Sequence, residues 1–273
     1  MRATLINPDN PADWVDFHIG NHVQEKHKAL AEVAGVPAMV FVTSPAADTY
    51  QIQYAYGTGP EPNDSSEFTM TDATEASAAG DFTLPSCAVG QEGLPSFVYW
   101  SSLNEQLVMA WTASGSPASP ADWTATPLCS PGTSGSRAAL IDWQGQPLAA
   151  YAGIGQDHLR CSLGASWQPP TIGDWERYVV DNETLAVDHV SICELPNGIA
   201  VAYRQTAVPC TLMCAWFTGN TPQGPGDWCV MPVISDLDDY GTQAVAALAN
   251  GQPAIAYVNT DTNELWLATM DPL

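Results

Sequence analysis

One pattern recurs five times along the chain and restricts the fold more than any other feature. The segments PAMVFVTS from Pro37, PSFVYWSS from Pro95, PLAAYAGI from Pro147, IAVAYRQT from Ile199 and PAIAYVNT from Pro253 set an aromatic residue in one column: Phe41, Tyr99, Tyr151, Tyr203 and Tyr257. The intervals are 58, 52, 52 and 54 residues. Four of the segments follow Gly-x-Pro (Gly35, Gly93, Gly145, Gly251) and the fifth follows Asn197-Gly198, the residues of tight hairpin turns. Each segment therefore reads as the second strand of a hairpin. Upstream lies a short apolar stretch of small and branched residues (KALAEV, SCAVG, AALIDW, VSICEL, AVAAL), the composition of a strand buried on both faces. Val23 to Val33 also permits a helix in isolation, but its place in the repeat assigns it to a strand.

Two further columns complete the unit. A third strand carries Ile52, Leu107, Leu159, Leu212 and Leu265 in one column and Ala55, Ala110, Ser162, Ala215 and Ala268 in another. A fourth begins with an acid-aromatic pair: Glu67-Phe68, Asp122-Trp123, Asp174-Trp175 and Asp227-Trp228. The last unit lacks this pair, while NPADWVDF at the N-terminus matches SPADWTAT of Ser119 to Thr126. Five four-stranded units with a displaced last strand predict an all-β chain, a five-bladed β-propeller closed by its N-terminal strand. Residues 1–273 are expected to form a single domain.

Charge narrows the partners. With 7 Lys+Arg against 30 Asp+Glu, the net charge is −23 and the pI about 4.1, so counterion release from nucleic acid or a polybasic contact with an anionic membrane is excluded. The expected partner is a glycan or a protein, with no nucleic acid, no membrane, no cofactor and no metal, and the chain is expected to be a monomer. Seven Cys without a Cys-x-x-Cys read as buried thiols, which favours the cytoplasm; the start lacks signal-peptide order, and a leader already removed would make the protein secreted. Cys214 and Cys229, on neighbouring strands, are the pair to test for a disulfide.

Candidate site residues come from positions where the repeat breaks. Ten residues before each second-strand anchor, where the innermost strand begins at the mouth of the central channel, stand His27, Pro85, Arg137, His189 and Gln243, with Asp188 before His189. Polar residues on an otherwise apolar strand suggest a ring facing a ligand. Asp157, His158 and Asp261 lie in loops on the same face. Trp100, Trp143, Trp167 and Trp266 each occur in one unit only; Trp100 ends a second strand on the mouth face, and Trp167 lies in a Pro-rich loop. The Asp-Trp pairs read as structure: Trp packed between sheets, Asp accepting backbone N–H groups of the turn. Asp236, Asp238 and Gly241 occupy three places of a calcium-loop pattern whose twelfth place is Ala247, so an acidic turn is the simpler reading.

Repeats of the form GQPAIAYVNTDTNELWLAT from Gly251 resemble those of bacterial sialidase-like and lectin-like propellers, and the architecture is similar to five-bladed tachylectin-type lectins. That resemblance implies sugar binding on or between blades. The sialidase box Ser-x-Asp-x-Gly-x-Thr-Trp is not found in the chain. The expected function is a non-catalytic module recognising a glycan or a protein. The alternatives are a glycosidase-like hydrolase at the channel mouth, where Asp188 meets Asp157 or Asp261 as paired acids, and a structural unit of a larger assembly.

Overall fold

The structure is a computed structural model that describes residues 2–3, 14–15, 19, 23–47, 49–62, 64–78, 82–89, 93–130, 134–153, 159–183, 187–205, 210–219, 221–237, 240–247, 253–259 and 264–269. Among these, Arg2–Ala3 (β1) pairs with Trp14–Val15 (β2). The first repeat forms Val23–Val33 (β3), Val36–Thr43 (β4), Thr49–Gly57 (β5) and Phe68–Asp72 (β6), with Ser77–Ala78 (β7) also beside β5. The second forms Phe82–Val89 (β8), Pro95–Ser101 (β9), Gln106–Thr112 (β10) and Trp123–Pro127 (β11). Ser134–Trp143 (β12), Gln146–Gly153 (β13), Leu159–Gly164 (β14) and Trp175–Asp181 (β15) make the third. Val187–Leu195 (β16), Gly198–Gln205 (β17), Cys210–Thr218 (β18) and Cys229–Leu237 (β19) make the fourth, and Tyr240–Ala247 (β20), Pro253–Asn259 (β21) and Glu264–Thr269 (β22) the fifth. Every repeat is an antiparallel meander in sequence order, and the ambiguous Val23–Val33 segment is a strand.

Among the described residues the fifth sheet has three strands, and Trp14–Val15 pairs with Arg2–Ala3 rather than with β22. The expected closing strand is thus not among the described pairings; residues 4–13 lie outside them.

Turn chemistry follows the sequence where a positive φ is needed. Ala34 and Gly35 have φ of 49° and 80°, and Gln144 and Gly145 have 53° and 82°, the conformation in which a two-residue hairpin matches strand twist. In the fourth repeat the requirement is different. Gly198 already belongs to β17, and a Cβ there would collide with the Phe217 carbonyl oxygen on β18, so close backbone approach, not a positive φ, demands glycine.

Alternation along each strand builds the core at the seams between sheets. On β17, Ile199, Val201 and Tyr203 pack with the third sheet, while Ala200 and Ala202 pack with Ile255 and Tyr257 of the fifth. Corresponding clusters join the first sheet to the second and the second to the third. The innermost strands β3, β8, β12, β16 and β20 stand side by side in that order.

Three Asp-Trp pairs work as seam wedges. Trp123 lies 5.0 Å from Phe97 of its own sheet and 5.4 Å from Tyr54 of the preceding one, both edge-on. Trp175 and Trp228 occupy the same position at the next two seams and are likewise buried. The preceding acid closes the turn: Asp122 Oδ2 accepts from the Ala118 and Ser119 N–H groups at 2.7 and 3.0 Å. Asp174 Oδ2 accepts from Thr171 N–H at 2.8 Å, and Asp227 Oδ2 from Gln223 N–H at 2.6 Å.

Candidate functional site

The polar column at the start of each innermost strand coincides with a break in strand pairing. Register shifts fall between Val23 and Lys28, Thr83 and Ser86, Ser134 and Ala138, Asp188 and Ser191, and Tyr240 and Gln243, once in every repeat. A bulge adds residues to one strand, bends it and re-aims its side chains, and such bulges gather at rims and beside active sites. An innermost strand crowded by four other innermost strands has reason to bend there. The five register shifts therefore mark one end of the axis as a rim where regular pairing of the innermost strands breaks.

His27, Arg137, Asp188, His189 and Gln243 all fall on or beside these bulges. Arg137 immediately precedes the residue at which β12 resumes pairing with β13, and it is half-buried. His189 lies inside its bulge with φ of 48°, a left-handed conformation that a side chain adopts only when the surroundings hold it. Asp188 is paired opposite Arg204 of β17 at the last position before that bulge, which puts a half-buried guanidinium on the neighbouring strand. Because β12 and β16 are adjacent, Arg137, Asp188, His189 and Arg204 belong to one sector of the rim. For His27, Asp188 and Gln243 the description covers the backbone only; Asp157, His158 and Asp261, like Asp238 of the calcium-loop pattern, lie outside the described residues. Among the described residues no group of three His, Cys, Asp or Glu side chains is arranged to hold a metal ion.

Trp100 sits at the same end, opposite Thr83, but the half-buried ring packs against the core between the second and third sheets, beside Leu107 and Tyr151. It is anchored in the seam, not displayed on a loop.

Asp181 is the carboxylate that repeat reasoning missed. It ends β15 on the rim face and is only 5% exposed. Its Oδ2 accepts from the Tyr203 hydroxyl at 2.6 Å across the seam, and its Oδ1 accepts from the Glu183 N–H at 2.8 Å. The corresponding positions are Thr74, Cys129 and Ile234, so no column marks the residue. Its signal was an acid at the end of a strand, indistinguishable in sequence from a solvated turn. At the next seam upstream the tie is made differently: Arg177 donates from Nε and Nη2 to the Leu128 carbonyl at 3.0 and 2.9 Å.

No family model matches the chain, and no curated protein matches it in sequence. Solved structures do. An α-L-arabinofuranosidase from Lactobacillus brevis is similar with a TM-score of 0.57 at 11% identity, over 93% of each chain. An endo-arabinase from Bacteroides thetaiotaomicron VPI-5482 gives 0.52 at 14% identity over 91% of this chain and 94% of its own. A thermostable family-43 glycoside hydrolase gives 0.53 at 12% identity, covering 92% and 96%. The fold is a five-bladed β-propeller, shared with glycoside hydrolases.

Two expectations are corrected by these likenesses. The propeller stands, but its relatives in structure are glycoside hydrolases rather than lectin-like or sialidase-like proteins. The reading as a non-catalytic binding module falls with it, since the similar structures are named as enzymes that cleave glycosidic bonds. The physical reason for the misjudgement is that near-identical blades suggest repeated equivalent sites, whereas a propeller that does chemistry needs only one asymmetric rim.

Proposed function

We propose that the protein is a glycosidase-like hydrolase whose site is the bulged rim of the channel, acting on a neutral carbohydrate such as an arabinan or an α-L-arabinofuranoside. The observation that carries this reading is that the five register shifts all fall at one column, which is polar in four repeats and Pro85 in the second. The likeness to structures named arabinofuranosidase and endo-arabinase supports the substrate class. Glycoside hydrolysis needs two carboxyl groups flanking the bond, one to protonate the leaving oxygen and one to activate water or attack the sugar carbon. Asp188 is assigned one of these roles because it stands on an innermost strand at the rim, fixed in register opposite Arg204. Asp157 and Asp261 are the candidates for its partner. Arg137, His189 and Arg204 border the same sector and supply donors to sugar hydroxyls; a guanidinium beside a carboxylate also favours its ionised form.

The experiment is hydrolysis of 4-nitrophenyl α-L-arabinofuranoside and of arabinan by the full chain, with Asp188→Ala beside it. Loss of an acid-base group lowers turnover by about 100-fold or more. Turnover unchanged in Asp188→Ala removes that residue from the mechanism, and absence of hydrolysis across arabinosides, xylosides and galactosides removes the reading.

A further inference from the structure

A second cleft lies at the other end of the blades, between the second and third sheets, with a volume of about 560 Å³. Its lining includes Thr112 at the end of β10, Gln144 and Gln146 at the β12–β13 hairpin, and Ser166, Trp167 and Gln168 in the β14–β15 connection. From Arg137 at the rim to Gln144 along β12 is seven residues, or roughly 20 Å of strand. The cleft and the rim are therefore separate places on opposite faces.

We propose that this cleft is a second, non-hydrolytic binding site for a neutral saccharide; the ligand class rests on the hydrolase reading above. Three observations converge. The lining residues carry no formal charge on a chain whose net charge is −23, so a cation has better sites elsewhere and an anion is repelled by the molecule as a whole. Their amides and hydroxyls each donate and accept, which is also true of every hydroxyl on a sugar. Gln144 and Gln168 are exposed, while Gln146 Nε2 is held on the Ala165 carbonyl at 3.3 Å. Trp167 supplies an aromatic surface in the same lining, half-buried against the seam core, and its indole N–H is buried without an acceptor in the protein.

The repeat itself argues that Trp167 is not there to build the blade. Counting eight residues back from the wedge aromatic of each fourth strand gives Pro60, Gly115, Trp167 and Asn220. Three blades form with a small or polar residue at this place; only the third carries a large aromatic. A tryptophan that the fold does not require, set in a neutral amide-lined cleft of ligand size, fits a sugar ring, whose apolar C–H face covers the indole while its hydroxyls meet the glutamines.

Calorimetry and tryptophan fluorescence on the full chain, with arabino-oligosaccharides as probe and Asp188→Ala as background to prevent turnover, test the proposal. Expected is a saturable site, additional to substrate binding at the rim, whose affinity drops at least about tenfold in Trp167→Ala while the rim component persists, the scale of an aromatic anchor truncated. A smaller drop is expected in Gln168→Ala, and hydrolysis of the small aryl glycoside by Trp167→Ala in the native background should be unchanged. Affinity indifferent to both substitutions, or no binding, overturns the site. If Trp167→Ala does not fold, Gln168→Ala decides, because its side chain is exposed: unchanged affinity there overturns the site equally. Hydrolysis without Trp167-dependent binding defeats this cleft alone, whereas Trp167-dependent binding without hydrolysis defeats the hydrolase reading alone.

Discussion

The third and fifth sheets carry the same sequence pattern and live in different surroundings. Leu159 of β14 and Leu265 of β22 share a column, yet Leu159 is fully buried and Leu265 is 76% exposed. Ile52, Leu107 and Leu212 in that column are also fully buried. Ile52, Leu107 and Leu159 pack at the seam with the following sheet, which supplies a Trp wedge and a tyrosine of the aromatic column, and Leu212 packs with Ile255 and Tyr257 of the fifth sheet. Among the described residues no core cluster joins the fifth sheet to the first, and Trp266 and Leu267 are exposed beside Leu265. An apolar repeat position thus stabilises the protein only where a neighbour covers it: the hydrophobic contribution belongs to the seam, not to the strand.

The wedge gives the sharpest way to break this comparison. Trp175→Ala, which empties the seam between the second and third sheets, is expected to cost about 3 to 5 kcal/mol, read by thermal or urea denaturation. A loss below about 1 kcal/mol would show that the seams are not where stability resides. Leu159→Ala should cost about 2 to 5 kcal/mol, while Leu265→Ala should stay within about 0.5 kcal/mol. Equal losses at the two positions would mean that the fifth sheet is covered in solution after all. Tyr203→Phe removes the donor to buried Asp181 and leaves that carboxylate short of a hydrogen bond; a loss of about 1 to 3 kcal/mol is expected, measured by the same melts.

The smallest effect is one of pH. Burial pushes the thiols of Cys193 and Cys214 up to about 11 and about 12, from an ordinary value of 9.0. Below pH 9 both folded and unfolded chains hold these protons and nothing changes. Above it the unfolded chain releases them while the folded chain keeps them, so stability falls as pH rises from about 9 toward the folded values. Cys214→Ala should flatten that alkaline decline. A labelling reagent at pH 8 should reach exposed Cys229 well before buried Cys214, neither being in a disulfide. Equal rates would refute the packing described for the fourth sheet.

Much of the fold was legible because packing repeats. The aromatic column, the Leu column and the Asp-Trp turns recur with the period of the blade, and periodicity survives in sequence even when no single strand is diagnostic. Less of the site was readable. The polar column from His27 to Gln243 was visible, but not the bulges that give it meaning, since a bulge is a relation between two strands. Trp100, at the end of its strand, packs into the seam between the second and third sheets, and Asp181, which no repeat column marks, is buried against Tyr203.

By itself the sequence determined the number of units, their strand order, the wedges and the polar column, because each depends on contacts repeated at a fixed interval along the chain. Tertiary structure alone decided which copies of a column are buried, where pairing breaks at the rim, and that Gln144, Gln146, Trp167 and Gln168 enclose one cleft. Those outcomes depend on which sheet stands next to which, and residues brought together across a seam leave no spacing in the chain to record it.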